Sequence, residues 1–246
     1  MCAKLSRSSA IVLAPLAVLL LALPGCDKER DKPAGDGKKP ATPPKAAAQE
    51  KKDETEFVSL FDGKTFGKWK ETDFGGQGKP RIENGTIILP IGNMLTGLTY
   101  TGTDYPKMNF EIELDAQRVE GSDFFCGLTF PVRDSAASLI LGGWGGSLCG
   151  ISSLDGGDAA NNETTKMIEF KEKQWYKVRV RVEETKIWAW LDDEKIVEAN
   201  TKNRKIDVRI EVEASKPLGI ATFGTVGAFR NIRIRKLGAD ELTKEE

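Results

Sequence analysis

The 246-residue sequence contains no histidine. That absence removes a Ser-His-Asp triad and any zinc or iron site built on imidazole, leaving acid–base work to carboxylates, lysine or tyrosine. A charge excess is missing too: 36 Lys and Arg stand against 37 Asp and Glu, and residues 57–237 hold 25 of each. Nucleic-acid binders carry a basic excess, so nothing supports that partner. No segment shows a convincing helical stripe of ten residues,. The one long apolar run, Ala10 to Pro24, is short for a membrane span,.

That run has the flanks of a secretory signal, with Lys4 and Arg7 before it,. It stops at Leu23-Pro24-Gly25-Cys26, which resembles the lipobox of bacterial lipoproteins. The resemblance implies cleavage after residue 25, lipidation of Cys26, and a protein of the cell envelope tethered to a bilayer and facing the periplasm or exterior. Residues 26–56 then form a linker: Asp27 to Glu56 hold eight Lys/Arg, eight Asp/Glu and no large apolar side chain. Such a stretch cannot build a core and is expected to be a solvated tether. The folded domain is expected at residues 57–237, ample for one core, followed by an acidic tail, 238–246, expected to fray,.

Period-two alternation recurs through the domain. "MNFEIELDAQ" sets Phe110, Ile112 and Leu114 against Glu111, Glu113 and Asp115; "WYKVRVRVE", "KIDVRIEVE" and "FRNIRIRKL" repeat the pattern,. Asn84-Gly85 and the Asp192 to Glu194 region mark hairpins,. About a dozen short strands punctuated by turns predict an all-β fold, an antiparallel two-sheet β-sandwich.

Within it lies "LILGGWGGSLCGISSLDGGD", residues 139–158, with seven glycines between Gly142 and Gly157. Three strands are predicted around it, over 124–132, 137–144 and 147–154, with Gly145-Gly146 as a turn. No Gly-Lys-Ser/Thr follows, which excludes a phosphate-binding loop. Glycines in strands leave room for a ligand or another backbone. Trp144, bracketed by glycine pairs, is the aromatic candidate for stacking on a sugar ring; Trp188 and Trp190 share one strand face and fit core or platform,. Asp155, Asp158, Asn161, Asn162 and Glu163 form an oxygen-rich loop that reads as a polar turn, a sugar-binding edge or a calcium loop, without EF-hand spacing,. Cys126 and Cys149 fall on the first and third of the three strands. In a meander these lie about 9.6 Å apart, beyond disulfide reach, so free buried thiols are expected.

"FVSLFDGKTFGKW" (57–69), "RIENGTIIL", "FEIEL", "WYKVRVRVEETKIWAWLDDEKIVE" and "FRNIRIRKL" (229–237) together resemble the 3-keto-disaccharide hydrolase domain family. The resemblance implies a concanavalin-like jelly roll and action on glycosides oxidised at carbon 3. There the ketone acidifies the hydrogen at carbon 2, a base removes it, the aglycone leaves, and water adds to the enone. Where that family carries a Glu and a Gln on one strand before an Asp, this chain has Gly150, Ser152 and then Asp155. The candidate catalytic residues are Asp155 with Glu111 and Glu113. With Asp115, the two glutamates put three carboxylates on one strand face, which either lines the concave sheet as acid and base or is a solvated outer face,. The candidate binding residues are Trp144, Asp158, Asn161 and Glu163. No cofactor is expected unless the loop takes calcium. Two functions stay open: a lipid-anchored hydrolase of oxidised glycosides, or a non-catalytic module of the same fold that binds carbohydrate or a protein.

Overall fold

The computed structural model describes residues 55–243. The signal-like segment, Cys26 and nearly all of the linker lie outside the described residues.

Fifteen strands pair into two antiparallel sheets. One has eight strands, in the order β13 (Glu194–Asn200), β12 (Lys186–Leu191), β11 (Trp175–Val182), β6 (Phe110–Gly121), β15 (Thr225–Lys236), β4 (Thr86–Leu89) and β3 (Arg81–Glu83), with β1 (Val58–Ser59) also on β15. The other has seven: β10 (Lys166–Met167), β9 (Leu148–Ser152), β8 (Ser135–Gly143), β7 (Cys126–Val132), β14 (Gly219–Phe223), β5 (Leu95–Tyr100) and β2 (Trp69–Glu71). The all-β sandwich expected from the alternation is the observed fold.

The inward residues of both sheets make one core. Phe110, Ile112, Leu114 and Ala116 of β6 join Tyr176, Val178, Val180 and Val182 of β11 from one side; Cys126, Leu128, Phe130, Leu139, Leu141 and Ile151 join from the other. The β7–β8–β9 order is the meander anticipated above. Cys126 pairs with Leu141, which pairs in turn with Cys149, so one strand separates the thiols. Both are free and buried.

The outward faces differ. On β11 buried and accessible residues alternate, as a half-solvated strand requires, whereas every residue of β7 and β9 is buried,. Something must cover the seven-stranded sheet from outside, and that cover corrects one expectation. "KIDVRIEVE" is not a strand. Ile206 makes an isolated bridge to Leu154, and Ile210–Ser215 turns into a 3-10 helix, η1. Val208 and Val212 pack with Leu95, Ala136, Phe74, Phe124 and Phe223 on the outer face, while Ile210 stays 86 % exposed. The alternation reported burial against a sheet, not membership of one. A second patch, Ile140, Leu148 and Ala159 with Phe124, lies under the loop after β9.

The described part of the tail, expected to fray, makes contacts with the domain through Glu241. The Glu241 carboxylate accepts hydrogen bonds from Arg235 at 2.7 and 2.9 Å and from the Gly238 N–H at 2.9 Å. These contacts hold it well below the ordinary carboxylate range, at about 2.

Candidate functional site

The site grows from the β8–β9 hairpin. Arg118 ends the apolar stripe of β6, in phase with Ile112, Leu114 and Ala116, and is buried with them. Its Nη2 donates to the carbonyls of Asp123, Gly142 and Gly146 at 3.2, 3.1 and 2.8 Å. The guanidinium also lies 5.2 and 5.8 Å from the Phe125 and Phe170 rings, and burial pushes its pKa down from the usual arginine range. Gly142 sits at φ +75°, and a Cβ there would come within 2.4 Å of Arg118 Nη2. The glycines thus admit a buried cation that grips the hairpin by its carbonyls.

Trp144 rides on this clamped tip at φ +50° and is 45 % exposed. Asp123 fixes the tip from the side: its Oδ1 accepts the Phe124 N–H at 2.7 Å and its Oδ2 the Gly145 N–H at 3.3 Å. Beside Trp144 opens a cavity of about 310 Å³ on the outer face of the seven-stranded sheet. Leu95, Phe124, Ile140, Val212 and Phe223 give it an apolar wall; Asp123, Ser152, Arg209 and Glu211 supply polar groups. The Ser152 hydroxyl is buried without a hydrogen-bond partner.

Arg209 organises the mouth. It stacks 6.0 Å from the Trp144 ring, bonds Asp158 at 2.6 Å through Nη1, and holds Glu211 at 2.6 and 3.2 Å. The Arg209 contact lowers the Glu211 pKa, and Glu211 in turn raises that of Arg209. Both carboxylates in the wall therefore have partners, Asp123 in backbone amides and Glu211 in a guanidinium.

The predicted residues divide among three places. Trp144 and Asp158 meet at the cavity mouth through Arg209. Asp155 and Glu163 go instead to Arg204, at 2.7 Å for Asp155, and Asp155 Oδ1 also accepts the Lys205 N–H at 2.8 Å. These contacts lower both carboxyl pKa values, with Arg204 the main cause. Asn161 donates to Asp158 at 2.7 Å, while Asn162 Nδ2 ties the loop to the carbonyls of Ile151, Gly157 and Asp158. The oxygens proposed for calcium are engaged with arginines and the loop's own amides, and among the described residues no three acidic or sulfur side chains group to hold a metal. Glu111 and Glu113 lie on the far side of the sandwich, bonded to Arg235 and Arg233 at 2.6 Å each. One substrate cannot touch them and Asp155 together.

The comparisons fit this frame. Residues 56–235 match the family described as the 3-keto-alpha-glucoside-1,2-lyase-like domain. The chain belongs to that family. No curated protein matches it. Solved structures with a similar fold include the Emp46p carbohydrate recognition domain in metal-free form, with a TM-score of 0.52 and 11 % identity over 76 % of this chain and 98 % of that one. The Crh5 transglycosylase in complex with NAG gives 0.51 and 8 % over 74 % and 84 %, and carbohydrate binding module CBM66 from Bacillus subtilis 0.47 and 12 % over 69 % and 96 %. At such identities the likeness establishes the sandwich alone.

In this lyase-like domain, sequence reasoning missed Arg118, Asp123, Phe124, Arg209 and Glu211. Only Arg118 carried a usable signal, a cation in phase with an apolar stripe. Arg209 and Glu211 were read as part of a strand, and nothing local placed them beside Trp144, 65 positions earlier in the chain.

Proposed function

We propose that the domain is a carbohydrate-binding module whose platform is Trp144. The observation that carries this is a half-exposed indole on a rigid hairpin, at the rim of an apolar cavity whose polar groups are already oriented. Small-ligand sites combine these features: an apolar surface for the ring face and a few fixed donors and acceptors for hydroxyls. Arg209, Glu211 and Asp158 supply the latter. The carbohydrate-directed character of the family supports the ligand class. Trp144→Ala is expected to abolish binding in glycan arrays or calorimetry and to leave the melting temperature nearly unchanged, since an exposed ring contributes little to folding. A loss of about 3–5 kcal/mol of stability would mark Trp144 as core and sink the reading.

The family match favours a second reading, elimination from 3-keto glycosides. The chemistry needs a free base at carbon 2 and a polariser for the ketone. Gly150 and Ser152 stand where the family carries Glu and Gln, and both wall carboxylates are occupied, so binding is the better-supported function. Release of free sugar from a 3-keto disaccharide, abolished in Glu211→Gln or Asp123→Asn, would favour the enzyme. For localisation, the lipobox-like ending supports a Cys26 lipid anchor in the cell envelope. Metabolic acyl labelling is expected in the wild type and lost in Cys26→Ser; equal labelling of both would refute the anchor.

A further inference from the structure

The outer face of the eight-stranded sheet carries a charge array that the cavity does not use. Across three adjacent strands, Arg230, Arg233 and Arg235 of β15 pair with Asp115, Glu113 and Glu111 of β6, which pair in turn with Lys177, Arg179 and Arg181 of β11. Cations flank each carboxylate on both sides. The carboxylates lie low, with the Glu111, Glu113 and Asp115 side chains 4, 13 and 18 % exposed; Arg179, Arg230 and Arg233 keep 32, 41 and 45 %. Aromatic rings hold the same three arginines: Arg179 lies 4.0 Å from Trp190, Arg230 4.1 Å from Trp175, and Arg233 4.4 Å from Phe57. A guanidinium gripped by a carboxylate and stacked on a ring has lost rotamer freedom before a ligand arrives, and it has five donors to share.

One acidic group already sits there. Glu241 places its carboxylate on Arg235 and its main-chain carbonyl on Arg181, and the Thr243 N–H donates to Glu183 at 2.9 Å. The face therefore recognises a carboxylate with a neutral oxygen close by.

We infer that this face binds an acidic polysaccharide of the polyuronate type, and that residues 238–243 compete for part of it. A polyuronate offers on each ring what Glu241 offers once, a carboxylate beside neutral oxygens. β11, β6 and β15 are interior strands whose backbone groups are used in ladders, so a peptide cannot add to them as a further strand. Arginines on β15 and β11 stand about 9.6 Å apart, and Arg179 and Arg181, like Arg233 and Arg235, about 6.8 Å apart along their strands,. A stiff chain with one charge per unit can engage several at once. Each exposed ion pair contributes little, so affinity requires many contacts and falls with salt.

The test uses the full chain and polygalacturonate, with a neutral polysaccharide as control. Binding at low salt, lost at high salt and absent for the neutral polymer, is expected. Arg179→Gln with Arg233→Gln should weaken it roughly tenfold. Glu241→Gln should tighten it severalfold by removing the competitor, whereas Glu71→Gln, the same charge change on the other sheet, should not. The Glu241 arm keeps the test decisive should the arginine variant fail to fold. Absence of polygalacturonate binding, equal tightening by Glu71→Gln, or equal binding of polyglutamate would overturn the assignment.

Discussion

The two sheets have opposite exteriors. The eight-stranded sheet wears charge, with Glu111, Glu113 and Asp115 of β6 each flanked by cations from both neighbouring strands. The seven-stranded sheet wears glycine, alanine and small hydroxyls under an apolar cover, and its cavity lies in that cover. The difference shows where side-chain chemistry can be put to use. Where strands point charges outward, neighbours in register pin those charges into a fixed, flat array. Where strands point out nearly nothing, other segments can descend, and Trp144 on a turn, Arg209 on a loop and Glu211 on η1 line the candidate site.

Thiol labelling tests the β7–β8–β9 order on which this contrast depends, and carries the largest effect. Burial pushes the Cys149 thiol up to about 11, and Cys126 higher still. At neutral pH the native thiolate fraction should fall roughly a few hundredfold below that of a free cysteine. Iodoacetamide should modify both residues only after unfolding, read by peptide mass spectrometry. A Cys126–Cys149 crosslinked peptide would break the meander and the comparison with it.

Next comes Gly142→Ala. The new methyl must displace a buried guanidinium that holds three carbonyls, at a backbone angle unfavourable to alanine. A loss of about 3 kcal/mol in urea unfolding is expected. Glycine as mere spacing would leave stability within about 0.5 kcal/mol.

Glu111→Ala sharpens the other side. It removes the carboxylate shared by Arg179, Arg181 and Arg235. Because the arginines are partly exposed, about 1–2 kcal/mol is expected rather than the full cost of a broken buried pair. Glycan affinity at the cavity should not change. A large loss of binding without loss of stability would restore Glu111 as a site residue.

The smallest effect is one of pH. Glu241 has a depressed folded pKa, so its contribution to tail docking is present above the ordinary carboxylate range and disappears as pH falls from about 4.5 towards 2,. Protection of the 238–243 amides, taken relative to intrinsic exchange at each pH, should fall over that window. Protection unchanged below about pH 2 would show that the tail is held by something else.

Most of the sandwich was legible because burial on one face imposes period two, and the Cys126–Cys149 separation followed from strand order alone. The site was less so. Trp144 stood out because glycines isolate it, but the partners of Asp155, Asp158 and Glu163 are arginines 41 to 51 positions away, beyond local pattern. "KIDVRIEVE" misled for a definite reason: packing against a sheet and pairing within one both ask for alternate apolar residues. Glu111 and Glu113 were correctly placed opposite the core, yet alternation cannot say whether such a face meets solvent, substrate or its own arginines.

Residues 201–218 run uninterrupted from the end of β13 to the start of β14 and contribute Arg209, Glu211 and Val212 to the cavity. Three of its eleven lining residues are thus encoded in one contiguous block that supplies no named strand to either sheet. Exchanging this one short block, with every named strand kept, is therefore expected to change the chemistry of the cavity wall.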